Sequence, residues 1–191
     1  MTHLKSQALV PLTLEKYAVD SKLISNVLTV ILGSLLLALT AQISVPLPFT
    51  PVPVTGQTFG VALLSLLWGR NRAMAAFALY LAEGAVGLPV FAHGTAFLTL
   101  GPTVGYLVGM FFATVIVGTL ADRGYAKNFL TAFLCCVCGS LTVLGCGLLG
   151  LSFFVPSDAL FSMGLYPFLP GDLIKNLLAS TAVFSLNRTL K

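Results

Sequence analysis

Charge is what this sequence has least of. Of its 191 residues, 8% are Asp, Glu, Lys or Arg and 57% are hydrophobic, whereas a soluble domain carries about 25% charged residues. With a mean hydropathy of +0.98, a water-soluble globule is excluded and a single-domain integral membrane protein is predicted. Cysteine is also scarce. The four (Cys135, Cys136, Cys138 and Cys146) share one apolar stretch. That excludes a disulfide framework, and the CCxC run has neither a zinc spacing nor a histidine or acid beside it, so it reads as small packing residues. No GxxxxGK[ST] loop is present, so the chain has no means of energising transport by itself. HExxH, GxSxG and a magnesium-holding cluster of acids are missing too. No nucleophile–base pair stands out in the apolar segments, which argues against an enzyme and against a cofactor.

What is there is a series of six apolar segments: 23–43, 55–68, 73–88, 102–120, 128–151 and 170–186. A helix crossing a bilayer upright needs about 20 residues, so the second and third must tilt, borrow from flanking loops, or stop short. Backbone that is not helical at membrane depth must be buried or line a cavity. A net charge of +4 would hint at nucleic acid in a soluble protein; here the cations are read by position. Lys5, Lys16, Lys22, Arg70, Arg72, Arg123, Lys127, Arg188 and Lys191 all fall on one side if every segment crosses. The opposite loops, 44–54, 89–101 and 152–169, contain no Lys or Arg. The positive-inside rule then puts both termini in the cytoplasm. Residues 1–22 form a cytoplasmic N-terminal segment ahead of a 23–188 membrane core, and 23–41 is long for a signal-peptide core and reads as a span.

The outer loops are stiff and apolar. "VPLPFTPVPVTGQ" (45–57) holds Pro46, Pro48, Pro51 and Pro53, each fixing φ and removing a donor. "GLPVFAHGTAFLTLGPTVGY" (87–106) mixes glycines with aromatic rings. Such loops suit a lid over a cavity, or they lie in the membrane interface. Asp172 and Lys175 in "PFLPGDLIKN" (167–176) stand at the mouth of the last segment. Pro170 and Gly171 start that helix, and a spacing of three puts acid and base on one face. Lys175 is the one cation off the cytoplasmic side. Charges within membrane segments mark substrate sites by default, with a structural ion pair as the plainer reading. Glu83 either faces the cavity or is a hydrogen-bonded acid near the outer end. Gln57 either meets a ligand or caps its helix. His93, in the outer loop, is a surface residue or a ligand contact, and Asp158 is solvated. Ser34 and Ala38 form a small-xxx-small pair that admits a close helix.

Read together, "AQISVPLPFTPVPVTGQTFGVALLSLLWGRNR" (41–72), "AEGAVGLPVFA" (82–92), "LGPTVGYLVG" (100–109) and "PFLPGDLIKN" (167–176) resemble the BioY family, the biotin-binding S-components of energy-coupling factor (ECF) transporters. The resemblance runs through nearly the whole chain in order and spacing. It implies an all-α fold of six transmembrane helices in a bacterial inner or plasma membrane, with an external biotin pocket under loop lids. It implies as partners a transmembrane T-component and two cytoplasmic ATPases. The family's biotin-binding acid and lysine fall on Asp172 and Lys175. The family also has an asparagine in the loop after GLPVF, where this chain reads "AHGTAF", so His93 or Thr95 stands in its place. Docking on the T-component through AxxxA on the first segment maps onto Ser34 and Ala38.

Biotin's ureido ring has two N–H donors and a carbonyl, suited to an acceptor-only Asp172 and a donor-only Lys175. Phe49, Phe91 and Tyr106 are expected as apolar walls, with Gln57 and Glu83 as further polar contacts. Lys175 is placed at the ureido end, with the valerate carboxylate as the alternative. An S-component or stand-alone transporter for another small vitamin, an intramembrane enzyme using Asp172 and Glu83, and a scaffold without ligand are the other readings.

Overall fold

The computed structural model describes residues 22–96 and 101–189. Lys5, Lys16, Lys191, the rest of the N-terminal segment and positions 97–100 of the glycine-rich loop lie outside them. The elements in order are α1 (Lys22–Gln42), β1 (Ser44–Val45), β2 (Val54–Thr55), α2 (Gln57–Ala85), a 3₁₀ turn (Ala92–Gly94), α3 (Val104–Asp122), a second 3₁₀ turn (Tyr125–Lys127), α4 (Phe129–Leu151), the short α5 (Leu160–Gly164) and α6 (Leu169–Thr189). Among the described residues, three helical stretches are long and apolar enough to cross a membrane: Leu23–Gln42, Val104–Asp122 and Phe129–Leu151. The outward face of α1 carries Leu28, Ile31, Leu32, Leu35 and Leu39, all exposed. Water would penalise such a stripe, whereas lipid tails are as apolar as leucine.

The second and third apolar segments are two arms of α2, joined without a loop. Gly69 breaks the helix at φ 74°, ψ −178°, a left-handed φ that glycine adopts at little cost. The second arm starts with orphan N–H groups, as every helix does. The Asp122 carboxylate, from the end of α3, accepts the Arg70 N–H at 3.0 Å. Gly118 brings α3 against this break: a β-carbon there would lie 2.5 Å from the Arg70 Cα.

Two apolar clusters fill the interior. One, at the end that holds the flap and the Ala92–Gly94 turn, gathers Leu37, Phe77, Tyr80, Phe91, Tyr106, Met110 and Phe168. The other is built of small residues from α2, α3, α4 and α6, including Ala62, Val117, Ala132, Cys135, Cys136 and Ala179. Cys135 and Cys136 are therefore packing residues, and all four cysteines are free thiols.

The two ends of the bundle differ in polarity. At one end Arg72 Nε donates to Asn26 Oδ1 (3.0 Å) and Asn187 Nδ2 to the Ala126 carbonyl (3.0 Å). This joins the start of α1, the α2 break, the α3–α4 turn and the end of α6, where the basic side chains cluster. The other end holds the loops and a cavity.

Candidate functional site

The proline-rich segment folds back as a flap. Ser44 pairs with Thr55 and Val45 with Val54, and the Gly56 N–H donates to the Ile43 carbonyl at 2.7 Å. The prolines between cannot extend the ladder, since they lack N–H groups. Val52 of the flap is buried and faces a cavity of about 260 Å³, near the lower end of the roughly 300–1,000 Å³ of small-molecule sites. The Phe91–Thr95 turn forms a second lid. Gln42 fastens it to α1: its Oε1 accepts the Gly94 N–H (3.0 Å) and its Nε2 donates to the Phe91 carbonyl (3.1 Å).

Aromatic walls are seated by glycines. Tyr106 packs where a β-carbon on Gly147 would lie 2.3 Å from its ring. Its hydroxyl donates to the Gly164 carbonyl at 2.7 Å, and its ring meets Phe168 at 5.6 Å. Phe91 stands edge-on to Tyr80 at 5.3 Å. Tyr80 is anchored in turn by Gln57, whose Nε2 donates to its hydroxyl at 2.6 Å, while Thr55 Oγ1 donates to Gln57 Oε1 at 3.1 Å. Gln57 is buried, so it is no solvated cap.

The polar end of the cavity is where α6 begins. Asp172 sits in the first turn of α6, where the helix dipole favours an anion. Lys175 Nζ lies 2.8 Å from Asp172 Oδ1, and both side chains are largely buried. The ammonium also donates to Thr58 Oγ1 (2.5 Å) and to the Thr55 carbonyl (3.2 Å). Thr58 Oγ1 in turn donates to Asp172 Oδ1 at 3.3 Å. A lysine has three N–H donors, and all three are engaged here. Asp172 Oδ2 accepts no hydrogen bond among the described residues. The site is thus a neutral pair in an apolar cup, with one carboxylate oxygen to spare.

Asp172, Lys175, Thr95, His93, Gln57, Tyr106 and Phe91 all line this one cavity. Phe49 and Glu83 do not. Phe49 sits at the tip of the flap and is exposed. Glu83 faces α1, where its Oε2 accepts the Ser34 hydroxyl. Ser34 is fully buried by that contact, and Ala38 packs against the interior cluster. Ser34 thus meets the second arm of α2, while Ala38 stays half-buried. Thr58, Thr55, Met110 and Phe168 also line the cavity and were not singled out by the sequence. The one signal for Thr58 is its place next to Gln57 at the start of α2.

The BioY family model matches residues 7–191. The biotin transporter BioY of Thermotoga maritima is 35% identical over 156 residues, covering 80% of this chain and 90% of that protein. Biotin transporter BioY2 of Lactococcus lactis subsp. cremoris is 32% identical over 178 residues, covering 90% and 94%. Among solved structures, the S-component for biotin from an ECF-type ABC transporter superposes with a TM-score of 0.81 at 23% identity, covering 90% of this chain and 95% of that one; at that identity the likeness is one of fold.

Proposed function

The chain belongs to the BioY family, and from that premise we propose that it is the biotin-binding membrane subunit of an ECF-type importer. It captures external biotin and delivers it inward together with a T-component and two ATPases. The observation that carries this reading is the Asp172–Lys175 pair at the polar end of an apolar cavity. The spare Oδ2 is an acceptor for a ureido N–H, and a bond to an ionised acceptor is about twice as strong as a neutral one. Lys175 balances the Asp172 carboxylate at 2.8 Å without drawing a second anion into the site. Phe91, Tyr106, Met110 and Phe168 offer surface to the thiophane ring and the valeryl chain.

In this reading the protein sits in a bacterial cell membrane with six helical passes, counting the two arms of α2 separately, and with both termini cytoplasmic. The clustering of basic residues at the end away from the cavity supports that orientation. Transport energy comes from the partner ATPases, since the chain carries no nucleotide-binding loop.

Equilibrium binding of labelled biotin to the purified chain in detergent tests the proposal. Wild type binds. Asp172→Ala leaves a ligand donor unpaired, at a cost of about 1–3 kcal/mol, and weakens binding by roughly one to two orders of magnitude. Absence of binding by the wild type, or unchanged affinity of Asp172→Ala, overturns it.

A further inference from the structure

Biotin carries a carboxylate as well as a ureido ring, and an apolar cavity must offer that charge a donor. Among the described residues, the charged side chains lining the cavity are Asp172 and Lys175. Lys175 has no N–H left to give, because Asp172, Thr58 and the Thr55 carbonyl take all three. A ligand carboxylate brought there would have to displace one of these partners and face the Asp172 carboxylate at close range. Like charges so placed repel.

The remaining nitrogen base on the lining is His93, in the lid. Its backbone lies at φ 58°, ψ 27°, the left-handed region, and it is the one non-glycine residue with positive φ among the described residues. Such a conformation is uncommon outside glycine and persists where the surroundings enforce it, often at ligand clamps. Here Gln42 enforces it through Gly94 and Phe91. The ring is held as well: its Nε2 lies 3.1 Å from Ser44 Oγ on the flap. The contact suits either tautomer; in the one where Ser44 donates to Nε2, the ring proton sits on Nδ1, which is then the donor. A histidine fixed at both backbone and ring, on the wall of a cavity that binds an acid, is suited to receive that acid.

We infer that His93 receives the ligand's carboxylate, so that biotin lies with its ureido ring at Asp172 and its tail under the Phe91–Thr95 lid. This rests on the biotin reading. It makes His93 a specificity residue, one that distinguishes the acid from uncharged derivatives. The experiment is a four-way comparison on the purified full chain: biotin and biotinol, which has an alcohol in place of the acid, against wild type and His93→Gly. Glycine keeps the left-handed backbone and deletes the ring. Wild type prefers the acid by about tenfold or more, as expected for a hydrogen bond to a charged group. His93→Gly loses that preference, binding both ligands alike. His93→Asn, which tolerates the same backbone and retains a donor, restores part of it. A preference that survives in His93→Gly, or is absent from wild type, overturns the assignment. Failure of wild type to bind biotin at all overturns the biotin reading, and this assignment with it.

Discussion

The ion pair at the start of α6 makes a prediction about stability that is independent of any ligand. Lys175→Met removes the ammonium and keeps the stem. It leaves the Asp172 carboxylate largely buried with a single donor, the Thr58 hydroxyl at 3.3 Å. Breaking a buried pair by removing one partner costs about 3–5 kcal/mol. Both side chains keep some exposure, 15% for Lys175 and 8% for Asp172, so the lower figure applies. At about 2–4 °C per kcal/mol for a chain of this size, the melting temperature should fall by roughly 6–12 °C. Asp172→Asn should cost less, since Lys175 keeps the Thr55 carbonyl and Thr58 Oγ1. The double variant removes both charges and should melt above Lys175→Met alone. Thermal unfolding in detergent, followed through the fluorescence of the single tryptophan, Trp68, measures all three. If the double variant melts lower than Lys175→Met, by the sum of the single effects, the two residues are not coupled and the description of the pair is wrong.

Two further outcomes are expected. A cysteine at Ser157 should react with an impermeant reagent added outside intact cells, and one at Asn71 should not, in a background with the four native cysteines replaced; the reverse pattern would invert the proposed orientation. Gly118→Val should lower the melting temperature by several degrees, because its β-carbon meets the Arg70 backbone, which cannot swing aside, whereas Gly145→Ala, inside α4 with nothing within 4 Å, should not lower it and should raise it slightly through the better helix propensity of alanine.

Much of the fold was legible because lipid exposure and helix burial both leave long apolar runs. Each of the six segments is helical, with ends within a few residues of those expected. The Gly69 break was not legible. Arg70, Asn71 and Arg72 read as a polar loop between two segments, yet a single residue at positive φ turns the chain and the helix resumes at once. Asp122, which caps the resumed helix, lies far along the chain and gives no local sign of that role. The family resemblance, drawn from four motifs, is borne out by the model match over residues 7–191.

The site was legible where chemistry stood out against a greasy background, as with Asp172 and Lys175. Thr58 was not. A threonine in an apolar segment is unremarkable until the starts of α2 and α6, 114 residues apart, are brought together. Ser34 and Glu83 were read separately, one as a docking position and the other as either a cavity acid or a hydrogen-bonded acid near the outer end. Their mutual hydrogen bond accounts for both and is invisible to any local pattern.

The self-contained pair at the start of α6 also has an electrical consequence. A charge moved through a membrane potential gains or loses about 2.3 kcal/mol per 100 mV. Asp172 and Lys175 lie 2.8 Å apart and sum to zero, so any displacement of the empty cavity along the membrane normal does almost no work against the field through them. Once a singly charged anion occupies the cavity the sum becomes minus one, and the same displacement feels the voltage. A cell with a negative interior would then oppose the inward step of the loaded protein while leaving the return of the empty one indifferent to the potential.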